Sequence, residues 1–241
     1  MAEKPVAYDY DGRKFEGMLV YDEAVSAKRP AIFMQPDWLG VCRHSIDMAH
    51  EVAAKDYVVL LADMFGAGYG ETEKTRDELM KTSREVRGDL AFLLGCGTAA
   101  DRALSAEATR LGVIEPDKKG AIGYCIGGGF ALEQARAGAD FKGSVIFHVT
   151  LPNPVDEAAI AQFKGRVLVL HGSADPVTPR ALMDALEAEL TEAKVDWQHM
   201  MFGHASHSFC DVGVNNEIQR YDEKLCKQSY RMMRDFFSEI F

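Results

Sequence analysis

Gly123-Tyr124-Cys125-Ile126-Gly127-Gly128, directly after the apolar run Gly120-Ala121-Ile122, decides how this chain is read. It has the form of a buried strand that breaks into a sharp turn and opens a helix, with a cysteine at the point of the turn. That is the arrangement G-x-S-x-G of a nucleophile elbow, with a thiol in place of the hydroxyl. The glycines around the cysteine allow backbone and helix to approach closely, because glycine has no Cβ to clash. A helix N-terminus at that point favours a thiolate, and a histidine partner would favour it further. The bland alternative is a buried structural cysteine beside a glycine-rich helix start. A thiol in this pattern is instead read as a nucleophile.

Outward from the elbow, strands and helices alternate. Val6–Tyr10 and Lys14–Tyr21 flank Asp11-Gly12 as a hairpin. Ala31–Gln35 follows Pro30 as a short buried strand, and residues 42–55 carry the apolar spacing of a helix. Tyr57–Ala62 is a continuous apolar strand of the doubly covered kind. Gly66–Gly70 reads as a loop, and residues 73–107 as a long charged helical region interrupted near Gly95-Cys96-Gly97. Lys118–Tyr124 leads into the elbow and Ile126–Ala137 is the helix out of it. Then come a strand at Gly143–Val149, a Pro-bounded loop at Leu151–Pro154, a strand at Arg166–Leu170, a helix at Pro179–Leu190 and a strand at Val195–Phe202. A helix over residues 217–239 closes the chain. This alternation predicts an α/β fold, a mostly parallel sheet with helices on both faces, in a single domain. Ligands in such sheets bind at the carboxyl ends of the strands.

Bulk properties exclude several function classes. The 241 residues suffice for a sizeable core. A net charge of −10 disfavours nucleic acid as a partner. No apolar run is long enough for a membrane span, and Met1–Pro5 has no signal-peptide character. Five cysteines, at 42, 96, 125, 210 and 226, form no C-x-x-C pair. They are expected to be free thiols in a reducing, cytoplasmic compartment, with Cys210 prone to oxidation. There is no H-E-x-x-H and no Cys/His cluster, so neither a metal site nor a cofactor is expected.

Two further residue types complete the chemistry of a cysteine nucleophile. Val167–Leu170 runs into His171-Gly172-Ser173-Ala174-Asp175-Pro176, which places Asp175 just past a strand end. An acid there can orient a histidine and stabilise its imidazolium; an Asx-turn or a helix N-cap would use the same residue. Phe202-Gly-His-Ala-Ser-His-Ser-Phe209 then offers His204 and His207 as the base, and position alone leaves both open. The order nucleophile, acid, histidine is that of α/β-hydrolases. His199 lies within a strand and reads as structural. His44, His50, His148 and His171 read as core or surface histidines, with His148 also a candidate for the pocket wall beside Phe65 and Tyr69. The oxyanion hole is expected from the backbone N–H of Ile126 and one from the loop Gln35-Pro36-Asp37-Trp38. Pro36 has no N–H, which makes Trp38 the natural donor. Asp37 is either a plain turn residue or a carboxylate that hydrogen-bonds the thiol.

These motifs together resemble the dienelactone hydrolase family of α/β-hydrolases. The resemblance rests on Pro36–Val41, Ala62–Gly66, Gly123–Gly129, Phe147-His148, His171–Pro176 and His207–Phe209. It implies a three-layer α/β-hydrolase fold with a mainly parallel sheet of about eight strands and a Cys125–Asp175–His207 triad. It selects His207 over His204, because the family's histidine is followed by x-Phe. It also implies that Asp37, where the family usually carries glutamate, contacts the resting thiol. Family members that open dienelactones bind the substrate carboxylate with arginines, one just after H-x-F. Here Cys210-Asp211 occupies that segment, with Arg43, Arg84 and Arg87 as other sources of positive charge. The expected activity is carboxymethylenebutenolidase-like hydrolysis of a small-molecule ester or enol lactone through a thioester, by a monomer or homodimer. A general carboxylesterase or thioesterase on the same triad, and a non-catalytic ligand-binding member of the fold, are the alternatives.

Overall fold

β1 (Ala2–Tyr10) and β2 (Arg13–Tyr21) pair antiparallel, with Tyr10 opposite Arg13. Asp11 and Gly12 between them take φ of 49° and 69°. A two-residue hairpin turn needs positive φ at both positions, which Asp-Gly tolerates. The structure, a computed structural model, describes residues 1–151 and 162–241. The remainder of the expected Pro-bounded loop, Pro152–Pro154, lies outside the described residues.

After the hairpin come β3 (Arg29–Gln35), α1 (Arg43–Ala53), β4 (Val58–Leu61), α2 (Arg76–Gly88), α3 (Leu90–Leu111) and β5 (Ile114–Tyr124). Then follow α4 (Ile126–Arg136), β6 (Gly143–Phe147), β7 (Arg166–Gly172), α5 (Arg180–Glu192), β8 (Trp197–Phe202) and α6 (Glu223–Ser238). The strands lie in one mixed sheet in the order β1-β2-β4-β3-β5-β6-β7-β8. β3 runs parallel to β4, and β6, β7 and β8 run parallel to one another, whereas β2 is antiparallel to both β1 and β4. The expected α/β class with about eight strands is borne out.

The chain falls into two compact units, Met1–Ala121 and Ile122–Phe241. In the first, α1 packs on β2 and β4, and α3 on β1, β2 and β4. Every residue of β4 is buried, as both faces of a covered strand require. In the second unit, α4 packs on β6 and α6 on β7, and β6 is buried throughout. Phe130, Phe147, Val169, Met233 and Phe237 form its interior. Each such side chain taken out of water contributes about 1.5–3 kcal/mol.

Several boundaries differ from the sequence reading, each for a local reason. The long helical region breaks at Asp89 and not at Gly95–Gly97. Thr75 and Glu78 form a reciprocal capping box that starts α2, and Asp89 accepts from the Phe92 N–H at 2.9 Å to start α3. Gly95 stays helical, and a Cβ there would collide with the Tyr10 hydroxyl. Its role is close approach of the first hairpin. β6 stops at Phe147 because His148 takes φ 34°. α6 starts at Glu223, capped by Asp222, which accepts from the Leu225 N–H at 3.0 Å.

The cysteine reading needs correction. Cys210 and Cys226 are joined as a disulfide, with Cα atoms 4.8 Å apart, while Cys42, Cys96 and Cys125 are free. The chain after Phe209 turns back and brings the first turn of α6 against Cys210, a closeness that spacing in sequence does not reveal. Among the described residues no helix is long and apolar enough to cross a membrane.

Candidate active site

The geometry begins with backbone strain at Cys125. It takes φ 55° and ψ −120°, and α4 starts at the next residue, Ile126. A non-glycine residue held there costs about 1–3 kcal/mol and persists only where its surroundings enforce it. They do so here: Cys125 N–H donates to Phe147 O at 3.1 Å, and Cys125 O accepts from the N–H groups of Thr150 at 2.8 Å and Gly128 at 3.2 Å. A Cβ on Gly123 would collide with the carbonyl of Gly127, so this tight exit from the strand requires glycine. Ile126 is thus the first residue of a helix, where N–H groups lack intrahelical partners.

Asp175 and His207 meet the thiol in line. His207 Nε2 lies 3.1 Å from Cys125 Sγ, and His207 Nδ1 lies 2.7 Å from Asp175 Oδ2. Asp175 divides its two oxygens between the two roles that its sequence left open. Oδ1 accepts from the N–H groups of Val177 at 2.7 Å and Thr178 at 3.1 Å, an Asx-type turn, while Oδ2 faces the histidine. His207 is buried, whereas His204 is exposed, and its backbone N–H donates to Ser173 Oγ at 2.9 Å.

The electrostatics follow from these distances. Burial by itself pushes the His207 imidazolium toward deprotonation. The Cys125 sulfur and the Asp175 carboxylate outweigh it and raise His207 to about 10. Burial pushes the Asp175 carboxyl up, but the hydrogen bond and charge of His207, with the Thr178 amide, bring it below its ordinary value. The arrangement favours a charged histidine against an acceptor on each side.

His148 stands directly behind His207. Its ring is edge-on to the His207 ring at 5.3 Å between centroids and edge-on to Phe209 at 5.0 Å. It is wholly buried, and among the described residues neither ring nitrogen has a hydrogen-bond partner. Burial lowers it to about 4, against the opposing pull of Asp211, so the ring is neutral. Asp211 is also buried, with Oδ1 3.8 Å from His148 Nε2. Sequence reasoning missed two features here. Thr150 Oγ1 lies 3.4 Å from Cys125 Sγ, and Asp211 is directed at His148. Neither residue type carries a local signal. In the stretch Phe147–Thr150 the sequence singled out only the Phe147-His148 pair, with His148 as a pocket-wall candidate, and gave Thr150 no role.

In the first unit Asp37 is buried, and its Oδ1 accepts from the Leu39 N–H at 2.8 Å, the turn role. Trp38 beside it is half-buried. Phe65 is buried and stacks on Tyr69 with centroids 4.8 Å apart. Arg43, one of the candidate cations, is paired with Glu3 and Asp47. Of the remaining histidines, His171 Nε2 meets Thr178 O at 2.9 Å and His199 Nδ1 meets Glu187 at 2.6 Å, in structural positions.

Comparison with known proteins bears on the family and the fold. A sequence model of the dienelactone hydrolase family matches residues 15–241. The solved structure of a dienelactone hydrolase-like promiscuous phosphotriesterase from metagenomic libraries superposes with a TM-score of 0.90. It is 31% identical, and the match covers 100% of this chain and 98% of that one. An uncharacterised protein of Caenorhabditis elegans is 32% identical over 133 residues, 53% of this chain and 84% of the relative. A Bradyrhizobium protein named as a probable 2-oxo-3-(5-oxofuran-2-ylidene)propanoate lactonase is 25% identical over 222 residues, 87% of this chain and 86% of that protein.

Proposed function

Because this chain belongs to the dienelactone hydrolase family and is a hydrolase of carboxylic ester or lactone bonds, we propose that it works through a cysteine nucleophile and a thioester intermediate. Cys125 attacks the acyl carbon. His207 manages the thiol proton, hands it to the leaving alkoxide or to the far end of an opened lactone, and then activates the water that cleaves the thioester. Asp175 orients His207 and stabilises its imidazolium. The N–H groups of Ile126 and Trp38 hold the tetrahedral oxyanion, at about 3 kcal/mol per donor. Asp37 sets the loop that carries Trp38, the role its bond to the Leu39 N–H supports, and Phe65 shapes the acyl pocket. His148 backs the histidine as a neutral wall.

The observation that carries this reading is the file of contacts from Sγ to Nε2 at 3.1 Å and from Nδ1 to Oδ2 at 2.7 Å. The buried Asp211 carboxylate behind it supports an acyl group without negative charge on that side. A thiol favours substrates with good leaving groups, such as enol lactones and activated esters. The two units act as one hydrolase domain on a small molecule, and the acidic net charge supports no nucleic-acid partner. The nucleophilic thiol favours a reducing, cytoplasmic place of action, and the Cys210–Cys226 disulfide counts against it.

Cys125→Ala tests the mechanism. Turnover of p-nitrophenyl acetate and of a dienelactone is expected to fall by about a thousandfold or more, and undiminished turnover would refute the nucleophile. A panel of neutral esters against anionic lactones tests the substrate class: neutral esters are expected to be preferred.

A further inference from the structure

His207 is not alone at the sulfur. Thr150 Oγ1 lies 3.4 Å from Cys125 Sγ, on the residue whose N–H also donates to the Cys125 carbonyl at 2.8 Å. The hydroxyl sits in a braced frame. Thr178 Oγ1 donates to Val149 O at 2.6 Å and accepts from the Leu151 N–H at 3.4 Å, on either side of Thr150. Thr178 is in turn held by Asp175 through its own N–H. One set of hydrogen bonds thus links the acid that orients His207 to the backbone that presents Thr150. A β-branched side chain on such a backbone has few rotamers to choose from.

We propose that Thr150 is a positioning residue for the nucleophile, its hydroxyl donating to the Cys125 sulfur and so favouring and aiming the thiolate. The proposal rests on Cys125 as the nucleophile and adds a second donor to its resting state. A thiolate carries no proton, so once the sulfur is charged Thr150 Oγ1 can only be the donor of this pair. A donor that serves the charged form better than the neutral one shifts the thiol toward ionisation. It also keeps the sulfur from swinging freely about its side-chain torsion while His207 is engaged elsewhere in the cycle.

Among the described residues of the second unit, the groups that set the background for this titration lie around and behind the sulfur, His171 included, with Nε2 3.7 Å from Asp175 Oδ2. His207 faces the sulfur from the loop after β8, with Asp175 behind it. His148 faces His207 from the end of β6, with Asp211 beyond. Tyr124, the residue before Cys125, is wholly buried, and burial holds its phenol well above its ordinary value. Thr150 adds no charge of its own, so its effect appears as a displacement of the profile these groups set.

The test is the pH dependence of Cys125 alkylation by iodoacetamide, followed on its own peptide by mass spectrometry in the full chain. Thr150→Val keeps the shape and removes the hydroxyl. Its acid limb is expected to move to higher pH, which lowers the alkylation rate near pH 6 about fivefold and leaves the high-pH plateau unchanged. Thr150→Ser restores the hydroxyl and is expected to restore the wild-type limb. In turnover, Thr150→Val lowers kcat by about fivefold with KM within about twofold of wild type. A Thr150→Val limb that coincides with wild type overturns the proposal, as does a Thr150→Ser limb displaced as far as that of valine. Thr150→Ala gives the same reading if the valine variant does not fold. Alkylation reports on the thiol whether or not it is the nucleophile. Failure of the Cys125 assignment would appear separately, as turnover retained in Cys125→Ala.

Discussion

The elbow that carries Cys125 and the strap that carries His207 deliver two atoms to within 3.1 Å of each other, yet they are built differently. The elbow is the junction of β5 and α4, and three backbone hydrogen bonds and one obligatory glycine hold its strained φ. The strap lies beyond β8 in irregular chain and is laced to the segment that follows it, residues 218–226. His207 O accepts from the Arg220 N–H at 2.9 Å, Phe209 O from the Asp222 N–H at 3.0 Å, and Ser206 Oγ donates to Ile218 O at 2.6 Å. The Cys210–Cys226 disulfide closes that lacing just past the histidine. A strained turn with an obligatory glycine therefore fixes the nucleophile, and cross-links to the segment that follows it fix the base. The elbow should fail as a unit of folding, whereas the strap should loosen by degrees.

The largest effect expected from this contrast is at the elbow. Gly123→Ala drives a methyl into the Gly127 carbonyl, with backbone on both sides unable to yield. We expect a loss of about 3 kcal/mol or more in denaturant unfolding, with activity lost together with the fold. A stable, active Gly123→Ala protein would break the comparison.

A smaller effect is expected at the strap. Cys226→Ser, or reduction of the wild type, opens a loop whose ends are 16 residues apart in sequence. The expected cost is about 2 kcal/mol. Activity should fall by only a few fold, since the backbone hydrogen bonds to His207 and Phe209 remain. Faster amide exchange confined to residues 206–222 would locate the loss in the strap. Equal acceleration throughout α4 would deny that the two regions are independently held.

The smallest effect joins the two. His207 is raised to about 10 in the folded protein, through Cys125 and Asp175. A histidine raised on folding contributes stability that is complete below its unfolded value, about 6.5, and is lost as pH rises toward the folded one. Wild type should therefore lose more thermal stability than Cys125→Ala between pH 7 and 10, because the variant lacks one of the two groups that hold the charge. Parallel losses in both proteins would mean that the thiol does not support the imidazolium.

Legibility in the sequence follows the same division. Strand alternation, the Asp-Gly hairpin and the elbow are local patterns, and each was readable because a few adjacent residues suffice to impose it. The helix break was misplaced because Asp89 as an N-cap competes with the louder signal of two glycines, and Gly95 answers to Tyr10, a residue remote in sequence. Asp175 was readable in type but not in use, since an Asx turn and an orienting carboxylate call for the same residue, and here one side chain does both. The disulfide and the contact of Thr150 with the sulfur left no local trace, because either requires only that two segments arrive together.

By itself, then, the sequence determined the α/β architecture, the sharp turn at Cys125 and the order in which thiol, acid and histidine follow one another. These depend on steric rules that act over a few residues and on apolar periodicity. Only the tertiary structure decided that His148 is a buried neutral ring behind His207 and that Cys210 pairs with Cys226; the choice of His207 over His204, open by position, came from the family motif and agrees with the contact to the sulfur. The tertiary structure also brought a threonine hydroxyl to the thiol. Those outcomes depend on distances between chain segments, and such distances are set by how the sheet, the strap and α6 pack, which no local pattern encodes.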